Sequence, residues 1–382
     1  MKNFTKIIIL LLLCSGFTAT WGFYGHRTIN RLAVYCLPGD MISLFKKNID
    51  YISEHAVDPD KRRYATKFEA VRHYIDIDHW GENPFDHVPR NYVDAVTKFG
   101  DFYIVQGLDT IELAFDNSEE SKEFQDRKQF IRNNWMRQRY EEIQVYECDT
   151  LMKYFDLKKG QCASFRFTDV FSTYGIIPYE LGVQQYRLTE AFQARDIDRI
   201  MRIATDMGHY IADAHVPLHT TENYNGQMTG QDGIHAFWES RLPELFAEEE
   251  YDFIVGQADY IEDKTAYFWK IIEDSHSHLQ KVLDVEMKLR EDYEQDRQYC
   301  YEERLGTTVR LECEGYAREY HELLGGMVEE RMRGSIKSVA DCWYTAWVDA
   351  GQPIFENVGV LELIDEKIEK AFGLGRILGR QH

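Results

Sequence analysis

The clearest pattern along the chain is a recurrence of apolar positions at three- and four-residue steps. Between Asp196 and Ala214 the residues Ile197, Ile200, Met201, Ala204, Met207, Ile211 and Ala214 fall at these steps and describe one buried stripe of a helix. A second stripe runs through Leu323, Leu324, Met327, Met332, Ile336, Val339, Trp343 and Trp347 and predicts a long helix near the C-terminus. Strand-like alternation is rare, so the expected fold is all-α. Residues from about 88 to 170 are mixed, charged and aromatic, and read as a long insertion. No Pro/Gly/Ser-rich linker and no internal repeat divides the chain. The expectation is therefore one multi-helix domain over 21–382, although that length exceeds the usual domain of about 100–200 residues.

The N-terminus has a different pattern. Lys2 and Lys6 precede an apolar run from Ile7 to Leu13, and small and polar residues follow, ending Thr18-Ala19-Thr20. This three-part order is that of a secretory signal peptide over residues 1–20. The run is too short for a membrane span, which needs about 20 apolar residues. Leu13 stands before Cys14 where lipid attachment would call for a small residue, so the expected location is secreted or periplasmic, without an anchor.

Loss of Lys2 and Lys6 with such a leader takes the formal charge from −21 to −23. A chain this acidic does not attract nucleic acid or anionic membranes by its overall field. Any phosphate chemistry must draw its positive charge from a local source, and bound metal is the obvious one. Without Cys14, six cysteines remain of the seven. An even count in an exported chain favours disulfides, with Cys148/Cys162 and Cys300/Cys313 as the local pairs.

Candidate chemistry lies in His209-Tyr-Ile-Ala-Asp213-Ala-His-Val-Pro-Leu-His219 and in His235-Ala-Phe-Trp-Glu239. Four residues on a helix is one turn, so His209 and Asp213 face one point, as do His235 and Glu239. Pro217 lacks an N–H and cannot continue the helix, so the chain should turn there and carry His219 to a second position. Imidazole with carboxylate is a suitable ligand set for zinc. A single His-x3-Asp pair is commonplace, but two pairs with His219 between them, inside residues 209–239, point to metal.

These strings resemble the core signature shared by zinc-dependent phospholipases C and single-strand-specific nucleases. Trp21-Gly-Phe-Tyr-Gly-His26 matches the family's N-terminal Trp and nearby His, and Asp58 followed by His73-Tyr74-Ile75-Asp76 matches its next ligands. The resemblance spans Trp21 to Glu239 and looks closest to bacterial phospholipase C-like members. It implies a helical domain around a trinuclear zinc site. One ion would be held by Asp58, His73, His209 and Asp213, and a second by His219, His235 and Glu239. The third would take the amine and carbonyl of Trp21 with His26, sharing Asp213 as a bridge. Only a cut between Thr20 and Trp21 frees that amine.

Zinc lowers the pKa of bound water from 15.7 towards about 7, which makes a nucleophile available at neutral pH. Asp58 is the candidate to orient or deprotonate that water, with plain ligation as its other role. The implied substrates are phosphate diesters, with two readings. Glu239 and the short stretch between His219 and His235 resemble the phospholipases, which act on phospholipid head groups. The step from Trp21 to His26 resembles the nucleases, in which positions matching Tyr74 and Asp76 bind a base. A choline-type head group lacks its aromatic cage here, since Pro59, Ala70 and Tyr24 occupy those positions. The sequence leans to a phospholipase C-type activity over a nuclease or 3′-nucleotidase. A non-catalytic zinc-binding protein is the third reading.

Overall fold

The computed structural model of the chain describes residues 22–63, 65–106, 109–138, 144–151, 154, 164–304 and 307–355. In chain order, the elements that build the site are helices α1 (Gly22–Ala33) and α2 (Asp58–Arg63), then strands β1 (Asp101–Gln106), β2 (Asp109–Glu112), β3 (Val145–Glu147) and β4 (Ser164–Thr168). Helices α3 (Ile177–Ala194), α4 (Ile197–Ala214) and α5 (Lys264–Asp292) follow, then strands β5 (Tyr299–Arg304) and β6 (Thr307–Glu312), and helix α6 (Met327–Asp349). The leader expected over 1–20, and Trp21 itself, lie outside the described residues. No helix among the described residues is long and apolar enough to cross a membrane.

The stripe read between Asp196 and Ala214 is α4. Its start is fixed by Asp196, whose carboxylate accepts the Arg199 backbone N–H at 3.0 Å. Its second half is buried on every side, from Met207 to Ala214. Small residues make this possible. Gly208 lies against Asn30 of α1, so closely that a Cβ there would stand 2.0 Å from the Asn30 Oδ1. Asn30 in turn donates to the Thr205 carbonyl at 3.1 Å. On another side, the Trp343 indole of α6 donates to the Ala204 carbonyl at 2.9 Å. From α5, the Ser275 hydroxyl caps the Ala214 carbonyl at 2.7 Å. The helix stops before Pro217, which opens a single 3-10 turn, Pro217–Thr220, carrying His219.

The fold is mostly helical but not purely so, which corrects the all-α expectation. Within the insertion, four strands form an antiparallel sheet in the order β2-β1-β4-β3. Phe102 and Ile104 alternate with polar or half-exposed neighbours along β1 and pair with Phe167 and Phe165 of β4. Phe130, Trp135 and Tyr146 complete that aromatic core. Strands of five and six residues give only two buried positions each, too few for the period to stand out from the helical background. The segment that follows the insertion is seated on the site: Gly175 bridges to Ile75, and the Asp76 N–H donates to the Tyr174 carbonyl at 2.7 Å. At Gly175, φ is +89° and a Cβ would lie 2.1 Å from the Tyr74 carbonyl oxygen, so only glycine fits.

A second, two-stranded sheet, β5 with β6, lies in the C-terminal third and is closed by the disulfide Cys300–Cys313. Cys162, the partner expected for Cys148, lies outside the described residues. Cys36 and Cys342 are buried free thiols rather than disulfide partners.

Candidate metal centre

His219, His235 and Glu239 converge although they come from two elements. His219 closes the 3-10 turn after α4, while His235 and Glu239 sit one turn apart where a short helix, Ile234–Ala236, runs into the wider π-helical turn Phe237–Arg241. Glu239 Oε2 is 3.0 Å from His235 Nε2 and 3.3 Å from His219 Nε2. The two imidazole Nε2 atoms are 3.1 Å apart. Ligand atoms around a tetrahedral ion at 2.0–2.1 Å stand about 3.3 Å from one another, so this triangle has the size of a zinc-type coordination face.

A second group gathers on α4. His209 Nε2 is 3.2 Å from Asp213 Oδ2, and His73 Nδ1 lies 2.8 Å from the same oxygen and 3.1 Å from His209 Nε2. Asp60 of α2 adds its Oδ1 at 3.8 Å from His209 Nε2 and 3.9 Å from His73 Nδ1. On the other side of Asp213, the Oδ1 faces His26 Nε2 at 3.5 Å. The His26 and His209 rings stack with centroids 3.8 Å apart. Asp213 is therefore the carboxylate between α1 and the His73–His209 pair.

The donor set fits metal. Three groups, His26/Asp60/His209, His73/His209/Asp213 and His219/His235/Glu239, each bring buried ligand atoms within 4.8 Å of one another and can hold a metal ion. Among the described residues, both His26 nitrogens, His73 Nε2 and Asp213 Oδ1 are buried with no hydrogen-bond partner. Leaving such an atom unsatisfied costs roughly 1–3 kcal/mol. Three histidines show the arrangement of a metal ligand oriented from behind. The Nδ1 atoms of His209, His219 and His235 reach the carbonyls of Ala56 (2.8 Å), His73 (2.5 Å) and Tyr224 (3.1 Å). A carbonyl acceptor at Nδ1 fixes the ring so that Nε2 is the nitrogen that would face an ion.

Without an ion, protons on the histidines balance the buried carboxylates, and a metal binding at His209 would displace one of them. Burial pushes the His26 imidazole down to about 3, and the neighbouring His209 charge works in the same direction, so His26 is neutral. Burial opposes charge on His209 as well, but the Asp213 and Asp60 carboxylates outweigh it and lift this imidazole to about 9. Asp213 is held well below the usual carboxylate range: burial opposes its ionisation, and the His209 and His219 charges overcome that. Glu239 is likewise lowered against burial, chiefly by the His235 charge.

The structure thus brings together His26, His73, His209, Asp213, His219, His235 and Glu239, and it replaces one expected residue. Asp58 is in none of the ligand groups. Its carboxylate is turned away, with Oδ2 2.6 Å from His55 Nδ1 and Oδ1 3.1 Å from the Lys61 ammonium. Two positions along α2 point in opposed directions, so Asp60 is the aspartate that faces inward. Arg63, one turn beyond Asp60, is also buried and was not read from the sequence; its Nη1 is 3.5 Å from Asp60 Oδ1. His55 and Lys61 stand three residues to either side of Asp58 and claim it, but no comparable sequence signal marks Asp60 or Arg63.

His73, His219 and His235 line a small pocket, partly open to solvent, with a cavity volume of about 20 Å³, whose other walls include Arg63, Tyr74, Leu218 and Tyr224. Tyr74 thus stands at the pocket, whereas Asp76 is buried beneath it and is not among the lining residues. Compared with protein-family models, with curated proteins and with solved structures, the chain finds no match.

Proposed function

We propose that the chain is a secreted, zinc-dependent hydrolase of phosphate esters, related to the phospholipase C and single-strand nuclease superfamily. The observation that carries this reading is the pair of ligand groups with atoms about 3 Å apart, opening on a pocket that holds one buried arginine. Asp60, His73, His209 and Asp213 would hold one zinc, and His219, His235 and Glu239 a second. His26 and Asp213 would hold a third together with Trp21, once the leader is removed. Bound zinc supplies Lewis acidity to a phosphoryl oxygen and lowers the pKa of water. The chain's own residues do the rest. Arg63 supplies a fixed cation to a non-bridging phosphoryl oxygen, anchored from behind by Asp60. Asp60 takes over the role expected of Asp58, orienting the attacking water. The buried walls keep bulk water from the reacting group.

Phospholipid head groups are the leading substrate, on the strength of Glu239 and the short stretch from His219 to His235. A second reading, nuclease or 3′-nucleotidase, is favoured by the pocket. Two tyrosines and an arginine line it, and no carboxylate is among its described lining residues to receive a quaternary ammonium. The test is a parallel incubation of the zinc-loaded chain, starting at Trp21, with mixed phospholipid vesicles and with single-stranded nucleic acid. Release of phosphorylated head groups supports the first reading, and release of mononucleotides alone overturns it in favour of the second. Zinc bound with turnover of neither would overturn the hydrolase reading altogether.

A further inference from the structure

The loop 221–233 joins two ligand histidines, His219 and His235, and it is tied down at both ends by carboxylates from distant elements. At its start, Asp78 accepts the Thr221 hydroxyl at 2.6 Å and the Glu222 N–H at 3.1 Å. At its end, the buried amide of Gln231 donates through Nε2 to Glu286 Oε2 at 2.5 Å and to the Leu283 carbonyl at 2.9 Å, both on α5. Glu286 is itself buried and accepts the Tyr316 hydroxyl at 3.0 Å.

From Gln231 the hydrogen bonds run in one direction towards the site. Gln231 Oε1 accepts the Thr229 hydroxyl at 2.8 Å, and Thr229 accepts the Asn223 amide at 3.1 Å. Asn223 Oδ1 accepts the Met228 N–H at 2.8 Å, which folds the loop back on itself. The next residue, Tyr224, presents the carbonyl that receives His235 Nδ1 at 3.1 Å. The orientation of His235 is thus the end point of a chain of bonds that begins in the C-terminal third of the protein.

We infer that Glu286 and Gln231 are positioning residues for the His219/His235/Glu239 site: together they hold the loop carbonyl that aims the His235 ring. The inference rests on the reading of that triad as a metal site. Both groups that face Glu286 are donors, and a carboxylate accepts from both without conflict. A glutamine in its place can still accept from Gln231 while its own amide donates to the Tyr316 oxygen. A leucine can do neither, and it leaves the buried Gln231 amide one acceptor short.

The test is zinc titration of the full metal-stripped chain, following each binding step. The step missing from His235→Ala identifies the triad. In Glu286→Leu that step should weaken on the order of 10-fold or more, as for the loss of other groups that orient metal-bound histidines, while the remaining steps stay unchanged. Glu286→Gln should restore it to within about threefold of the unaltered chain. If Glu286→Leu does not fold, Gln231→Met carries the same expectation. Equal affinity in the variants and the unaltered chain would overturn the inference alone, as would an equal loss at every step, which marks a merely structural role. An unaltered chain that binds no zinc would overturn the metal reading and the inference with it.

Discussion

Asp58 and Asp60 differ by two positions and by everything around them. One is partly buried and bonded to His55 and Lys61; the other is buried against His73, His209 and Arg63. Asp60→Asn should weaken metal binding by at least about 100-fold, since even indirect partners of ligands are worth 10–100-fold. Asp58→Asn should leave metal content unchanged and cost about 1.5–3 kcal/mol, as for a hydrogen bond to a charged group. Metal analysis of both variants checks this, and equal loss in the two would return Asp58 to the site. Arg63→Met should lower turnover by about 100-fold, in the manner of a lost oxyanion donor, with metal content intact. Loss of metal instead would show that Arg63 serves only to hold Asp60. His209, Asp213, His235 and Glu239 were legible because helical spacing puts each His-carboxylate pair on one face, and His219 because Pro217 turns the chain; His26 and His73 were expected on the resemblance alone. Asp60 was not, because Asp-Pro-Asp offers two carboxylates and only the starting point of α2 decides which one turns inward.

At the scale of elements, the site depends on how closely α1 approaches α4, because α1 carries His26 and α4 carries His209 and Asp213. Gly208 sets that approach through its contact with Asn30. Gly208→Ala should destabilise the fold by about 1–3 kcal/mol, the usual cost of overfilling a packed interface. A denaturation midpoint equal to that of the unaltered chain would contradict so close an approach. Helix α4 was readable from its apolar stripe and the turn at Pro217 from the missing N–H; the second stripe gave α6 only from Met327, because Leu323 and Leu324 end a separate helix, Glu314–Leu324, and Gly325 and Gly326 at positive φ break the chain between them. The insertion's sheet was not readable: Phe102, Ile104, Phe165 and Phe167 alternate correctly, but β1 and β4 are far apart in sequence and meet only through pairing. Neither could sequence show that residues 174–175, just past the insertion, pack against Tyr74, since that contact is between backbones.

For the whole molecule, the charge of −21 and the chemistry of the site are parts of one problem. Asp60, Asp213 and Glu239 are buried carboxylates of the three ligand groups, and five histidines face them. In the proposed function, metal would offset the carboxylate charge and give an acidic protein a local site for an anionic ester. The helical remainder from α5 to α6, in which the sequence shows no chemistry, has its place in this scheme as the scaffold that caps α4 and anchors the loop before His235. The most direct test of the central claim is to count zinc in the chain beginning at Trp21 and to follow its hydrolysis of a chromogenic phosphodiester before and after chelation. The expected result is three zinc ions per chain, turnover abolished by the chelator and restored by zinc. A chain that binds no zinc, or that hydrolyses the ester equally well after every ion has been removed, would contradict it.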